Sequence, residues 1–268
     1  MRWTDRQRAM LAEMGLHLPP ELPATDEPTA TVQAAPARPP AATASAAQAA
    51  PPAPPAQAEP AALGPRASGI ERMDWPALRA AVAACTACGL CRGRRQTVFG
   101  VGSTRSHWMV VGEAPGEQED IQGEPFVGKS GQLLDNMLRA IGLSRDAGSD
   151  DPARQVYIAN TLKCRPPGNR NPAPQELEQC EPFLLRQVEL LQPKIILAMG
   201  RFAVQSLLRS NEPVGKLRGR VHRYHGVPLV VTYHPAYLLR NLEDKARAWD
   251  DLCLALEVVE SAAATSSS

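Results

Sequence analysis

The sequence predicts an α/β fold: an open, mostly parallel sheet with helices on both of its faces. Three observations carry that reading. Short Val/Ile-rich runs at His107–Gly112, Val156–Asn160, Ile195–Gly200 and Leu229–Tyr233 alternate with stretches of helical periodicity. Those runs are apolar throughout rather than alternating, as strands buried on both faces are. The residues with chemical potential cluster just beyond the carboxyl end of each run, where open α/β sheets bind their ligands.

Taken in order, the chain starts with a short helix over residues 1–20. Thr4 and Gln7 fit a capping box, Met10, Leu11 and Met14 form one apolar stripe, and Gly15 stops it. Residues 21–74 contain no aromatic side chain and are dominated by Pro and Ala, as in the Ala-Ala-Pro-Pro-Ala-Pro-Pro-Ala run at 49–56. Such a segment cannot bury enough apolar area to offset an ordering cost of roughly 1–2 kcal/mol per residue, so it reads as a disordered, polyproline-leaning linker. The folded body is expected over 75–260, with a disordered Ser-rich tail at 261–268. Within the body, Leu133, Leu134, Met137, Leu138 and Ile141 share one helical face that starts near Ser130 and ends at Gly142. Pro174 opens a second helix with Leu177, Leu184, Val188 and Leu191 in register.

Composition excludes several classes. Lys and Arg total 29 against 28 Asp and Glu, so a net charge of +1 offers no global attraction for nucleic acid, and any such binding needs a local patch. No run of about 18 apolar residues is present, so no membrane span is expected. The charged opening Met-Arg-Trp-Thr-Asp-Arg-Gln-Arg does not read as a secretory signal. A cytoplasmic setting follows, which tilts the six cysteines towards metal binding or inert burial rather than disulfides.

Cys85-Thr-Ala-Cys88 has the spacing that turns two sulfurs towards one centre, and Cys164 with Cys180 forms a second, looser pair. Two such pairs can close a thiolate site around Zn²⁺ or hold an iron–sulfur cluster, and spacing does not choose between them. Cys88-x-x-Cys91 is an equally good pair by spacing, and Cys253 reads as packing in a C-terminal helix.

Beyond the first strand lies Gly112-Glu113-Ala114-Pro115-Gly116-Glu117, followed by Pro125-Phe126-Val127-Gly128-Lys129-Ser130-Gly131. Glycines there let backbone N–H groups approach a ligand, and a helix beginning near Ser130 favours an anion. The second strand ends at Asn160, whose amide offers a donor and an acceptor to a base edge, although a lone Asn there is commonly a turn-former. The last strand runs into His234-Pro235-Ala236-Tyr237-Leu238-Leu239-Arg240, a loop whose apolar residues could wedge into a duplex.

Together these motifs resemble the iron–sulfur uracil-DNA glycosylases, family 4 of that superfamily, over about residues 85–255. The resemblance implies a three-layer α/β/α sandwich around a central four-stranded, mostly parallel sheet, and a [4Fe-4S] cluster held by Cys85, Cys88, Cys164 and Cys180. It favours Cys85 over Cys91 because Leu90, Arg94 and the Val98–Gly102 run follow the first pair at the family's offsets. It implies a monomer acting on uracil-containing DNA, single- or double-stranded, by flipping the uracil out and hydrolysing its N-glycosidic bond to initiate base excision repair. Glu113 and His234 would be catalytic. Gly112, Ala114, Phe126 and Asn160 would hold the base, and Ser130, Pro235, Tyr237, Leu238 and Arg240 would contact DNA. The basic stretch Arg218–Arg223 is a further candidate for phosphate contacts. Recruitment of a repair or replication protein would fall to the N-terminal helix and linker. Competing readings are a non-catalytic relative that traps uracil, a metal-stabilised recruiting scaffold, and an iron–sulfur electron carrier, the last needing neither Asn160 nor His234.

Overall fold

The computed structural model describes residues 65–146 and 151–265, with side chains to Ala262. The expected N-terminal helix and residues 21–64 of the expected linker lie outside the described residues. The first described element is a 3-10 turn at Ile70–Arg72. Helix α1 spans Trp75–Ala83, strand β1 Val101–Gly102, strand β2 Trp108–Gly112, helix α2 Glu117–Gln122 and helix α3 Lys129–Ala140. Strand β3 spans Val156–Asn160, helix α4 Pro174–Leu191, strand β4 Ile195–Met199, helix α5 Arg201–Leu208 and helix α6 Val214–Leu217. Strands β5 (Val221–Tyr224) and β6 (Val227–Thr232), short helix α7 (Pro235–Leu238) and helix α8 (Asp244–Thr265) complete the described chain.

The strands form one sheet in the order β1-β3-β2-β4-β6-β5. The inner four, β3, β2, β4 and β6, are parallel, and they are the four runs expected from the sequence. The expected count of four is corrected to six, because β1 and β5 add antiparallel edges. Neither edge has a long apolar run to announce it. β1 is two residues long, and β5 faces outwards with Val221 and Arg223, so its sequence reads as a basic loop. β5 is returned to β6 through His225 (φ 45°) and Gly226 (φ 86°), a pair of left-handed residues suited to a tight hairpin.

Along β2 the side chains alternate between two cores. Trp108 and Val110 join Ile158, Leu197, Val230 and the apolar faces of α3 and α8. Met109 and Val111 join Tyr157, Ile196, Val231 and the faces of α4 and α5. Helices therefore cover both faces, giving three layers. Each buried Val, Leu or Ile contributes about 1.5–3 kcal/mol, so these two cores fix the strand ends rigidly.

Packed structure starts ahead of the expected boundary at residue 75. Ile70 is buried with Leu78, Val82, Phe99 and Phe183, and Asp74 caps α1 by accepting from the Ala77 N–H at 2.9 Å. At the other end α8 continues to Thr265, beyond the expected limit at 260. Among the described residues no helix is long and apolar enough to cross a membrane.

Candidate active site

β2 is the first of the parallel strands in the chain, with β3 on one side of it and β4 on the other, and this reversal opens a crevice at the carboxyl end of β2. Hydrogen bonds stitch the β2 and β3 ends together. Gly112 accepts from the Thr161 N–H (3.0 Å), and the Glu113 carbonyl accepts from Leu162 N–H (3.1 Å) and the Thr161 hydroxyl (2.5 Å). Gly112 itself is the floor of the crevice. A Cβ there would sit 2.5 Å from Asn160 Oδ1 and 2.6 Å from Phe126 Cζ, so only glycine lets the amide and the ring close over it.

Phe126 adopts a left-handed φ of 56°, rare for a bulky residue and found where surrounding structure over-determines it. Two features hold it. Glu119 accepts from the N–H groups of Gly116, Val127 and Gly128 (3.1, 3.0 and 3.3 Å), clamping both ends of the glycine-rich loop. Gly131 makes room for the Phe126 backbone, since a Cβ there would lie 1.7 Å from the Phe126 carbonyl oxygen.

His234 completes the crevice from the end of β6, its ring stacked on Phe126 with centroids 5.4 Å apart and 25° between planes. Its Nδ1 accepts from the Ala236 N–H at 3.1 Å. A neutral ring accepting at Nδ1 carries its proton on Nε2, so the crevice receives a donor. Burial pushes the imidazole down to about 4, against the opposing pull of Glu119, which keeps it neutral at physiological pH. Glu113 accepts from the Phe202 N–H at 3.0 Å, at the start of α5. Desolvation raises its carboxyl above the usual range while the Phe202 and Arg201 N–H groups oppose that. Gly200 (φ 90°) gives both residues their space, for a Cβ there would meet Glu113 Oε1 at 2.5 Å and His234 Cβ at 3.0 Å.

A cavity of about 460 Å³ opens over these groups, lined by Glu113, Ala114, Phe126, Ser130, Asn160 and His234. Asn169, Arg170 and Asn171 also line it and were not anticipated as site residues. Arg170 is held there by paired bonds to Glu176 at 2.9 and 2.5 Å. Glu119 was also missed, although Gly116-x-x-Glu119 before a helix is a capping pattern.

The expected DNA-contact set is only partly brought together. Ser130 lies in the first turn of α3 beside the cavity, and Tyr237 and Arg240 are exposed. Pro235 and Leu238 are corrections, because both point inwards and Leu238 is wholly buried in the core under α7. The residues were expected in an open loop, but a helical turn directs every third or fourth side chain back to the core. The apolar tip is instead Tyr237, Leu239 and Leu242, each more than a third exposed. Arg218 is likewise committed elsewhere, donating to Asp251 at 3.0 Å.

A second recess lies on the other side of the Cys164–Cys180 segment, lined by Cys85, Cys88, Cys91, Cys164 and Cys180 with Val82, Ala87, Leu90 and Phe183. Arg94 donates to Cys164 Sγ at 3.1 Å and the Lys163 N–H to Cys180 Sγ at 3.2 Å. Burial pushes the Cys164 thiol up to about 11 and Cys180 up to about 12. Burial also raises Cys88.

The sequence model of the uracil DNA glycosylase superfamily matches residues 99–253. The type-4 uracil-DNA glycosylase of Archaeoglobus fulgidus is 40% identical over 166 residues, 59% of this chain and 79% of that protein. The chain belongs to this family. Its type-4 relative from Thermotoga maritima is 41% identical over 165 residues, 61% of this chain and 82% of the relative. That from Pyrobaculum aerophilum is 37% identical over 190 residues, 68% of this chain and 93% of the relative. Every crevice residue from Gly112 to His234 lies inside the span that the superfamily model matches.

Proposed function

We propose that this protein excises uracil from DNA, hydrolysing the N-glycosidic bond of a nucleotide flipped into the crevice. One observation carries the reading: Asn160 from the end of β3 and Phe126 from the loop before α3 close over Gly112, and His234 from the end of β6 stacks on Phe126, all three lining one cavity. A base within a duplex is inaccessible, and extruding it costs a few kcal/mol that the pocket must return. Phe126 supplies a stacking face. The Asn160 amide pairs with uracil O4 and N3–H, an order that cytosine reverses, so cytosine would leave buried polar groups unmatched. The Nε2–H of His234 donates to uracil O2 as negative charge moves onto the departing base. A preformed donor aimed at developing charge lowers the barrier by about 2.7–4 kcal/mol without reorganising. Glu113 orients the attacking water and favours the positive sugar, held in place by the Phe202 N–H. Ser130, Tyr237, Leu239 and Arg240 contact the strand, with the apolar tip filling the gap left by the base.

The cysteine recess fits a [4Fe-4S] cluster held by Cys85, Cys88, Cys164 and Cys180. Sulfur donors, an apolar wall and N–H bonds to two of the sulfurs are the features such a group uses. Cys85 and Cys180 pack against the cluster that holds Phe183, and Cys88, Cys164 and Cys180 share the neighbouring cluster around Leu90, whereas Cys91 joins neither, which supports Cys85 as the ligand. When bound, the cluster supplies covalent ties between the loop after α1 and the Cys164–Cys180 segment. The protein acts as a cytoplasmic monomer, and the N-terminal segment ahead of the packed residues at Ile70 serves to recruit a repair or replication partner.

Uracil released from a single-uracil oligonucleotide tests the reading. The wild type should release free base, and Asn160→Ala should lose at least about 10²-fold in single turnover while staying folded. A stable protein–DNA adduct in place of free uracil, or unchanged release by the variant, would contradict it.

A further inference from the structure

Lys163 is a buried charge for which base excision has no direct use. It is 1% exposed, and its Nζ donates to the Asn160 carbonyl at 2.9 Å and to Gln187 Oε1 at 2.6 Å. Lysine is almost never this deeply buried unless paired, and an ammonium held by two neutral oxygens is a costly way to fill a core. Gln187, itself wholly buried, is fixed in turn: its Nε2 donates to the Phe99 carbonyl (2.9 Å) and the Tyr157 hydroxyl (3.1 Å). The backbone of Lys163 is tied as firmly, its N–H to Cys180 Sγ (3.2 Å) and its carbonyl to the Val98 N–H (2.8 Å). One residue thus spans the cysteine recess and the last peptide of β3.

We propose that Lys163 is a positioning residue for base recognition, its ammonium fixing the peptide plane at Asn160 and thereby the direction in which the Asn160 amide enters the crevice. The inference rests on the assignment of Asn160 as the base reader. The amide leaves a backbone whose N-terminal side is locked in the sheet by pairing with β2. Its C-terminal side turns away at Thr161, and there Lys163 Nζ takes the Asn160 carbonyl. The N–H side of the same peptide is held by Thr161 N–H donating to the Gly112 carbonyl at 3.0 Å, so the Lys163 bond is the second restraint, and without it the plane can tilt about that remaining bond. A small rotation displaces the amide from the donor–acceptor order of a uracil edge, because pairing tolerates little error in direction. The charge makes the bond stronger than a neutral donor would, and Gln187 prevents the ammonium from swinging away.

The test is inhibition of the enzyme by free uracil, measured beside affinity for DNA carrying an abasic site, iron content and thermal midpoint. Lys163→Met keeps the apolar stem and removes the donor. Its inhibition constant for uracil should rise at least about tenfold, with abasic-DNA affinity within about twofold and iron content unchanged. Uracil inhibition within about twofold of the wild type overturns the proposal, as does a loss that only tracks lost iron. Should Lys163→Met not fold, Gln187→Leu carries the test, since Nζ then keeps its charge but loses its shorter bond. It should weaken uracil inhibition about threefold at full iron content, and unchanged inhibition overturns the proposal. Asn160→Ala separates the two failures. If it too inhibits normally with uracil, the base-reading assignment falls; if it alone loses inhibition, only the role of Lys163 falls.

Discussion

The crevice at the end of β2 and the cysteine recess share the segment from Asn160 to Cys180, yet they are built by opposite physical means. The crevice is open and polar, and it holds its groups in states they would not choose in water: a Phe at φ 56°, and an imidazole kept neutral down to about 4. The recess is walled by Val82, Leu90 and Phe183, and its thiols are pushed towards the neutral form by burial. In the first region, on the proposed mechanism, burial would keep His234 a neutral donor for a charge that arrives only during reaction. In the second it makes isolated thiolates unfavourable, and the proposed iron–sulfur cluster would be what stabilises them. On that proposal the same loss of water would serve turnover in one region and architecture in the other.

The sharpest way to break that comparison is to damage each region separately. His234→Ala should slow single-turnover release by about 10²–10³-fold while leaving iron content and DNA affinity in place. A loss confined to DNA affinity would remove the ring from the chemical step. Cys85→Ala should strip most of the iron and lower the thermal midpoint, whereas Cys91→Ala should retain the iron. The reverse result would exchange the two ligands. Between these lies Gly131→Ala, which forces a Cβ to within 1.7 Å of the Phe126 carbonyl. Overpacking at such a site costs about 1–3 kcal/mol, so denaturant midpoints should fall and excision with them, while visible absorbance of the cluster stays unchanged.

The contrast also explains what could be read without coordinates. β3 was legible to the residue, because a strand covered on both faces must be apolar throughout. Asn160 and His234 stood out as polar residues closing such runs. β5 was hidden by its outward Val221 and Arg223, and β1 by its two-residue length. The direction of Leu238 was misread because Pro235–Leu238 forms a helical turn in place of a loop. Gln187 and Lys163 lie 24 residues apart, and Phe202 and Glu113 lie 89 apart. No local pattern encodes such pairs, since they exist only once the sheet has brought its strand ends together. The five cysteines that line the recess were legible by their spacing, which leaves Cys85 and Cys91 as alternatives.

The electrostatic half of the comparison has a consequence for pH. His234 in the folded chain gains its proton only near 4, whereas the unfolded chain gains it near 6.5. Below about pH 6.5 the unfolded state binds more protons, so His234 subtracts stability as pH falls through that window and contributes no such loss above it. The most direct test is nitrogen NMR of the His234 ring in the free enzyme, titrated from pH 8 to about 4. A neutral ring with its proton on Nε2 throughout pH 5–7 is the expected result. An imidazolium at pH 6, or a proton on Nδ1 facing Ala236, would contradict the claim that the crevice holds a preformed donor for a departing base.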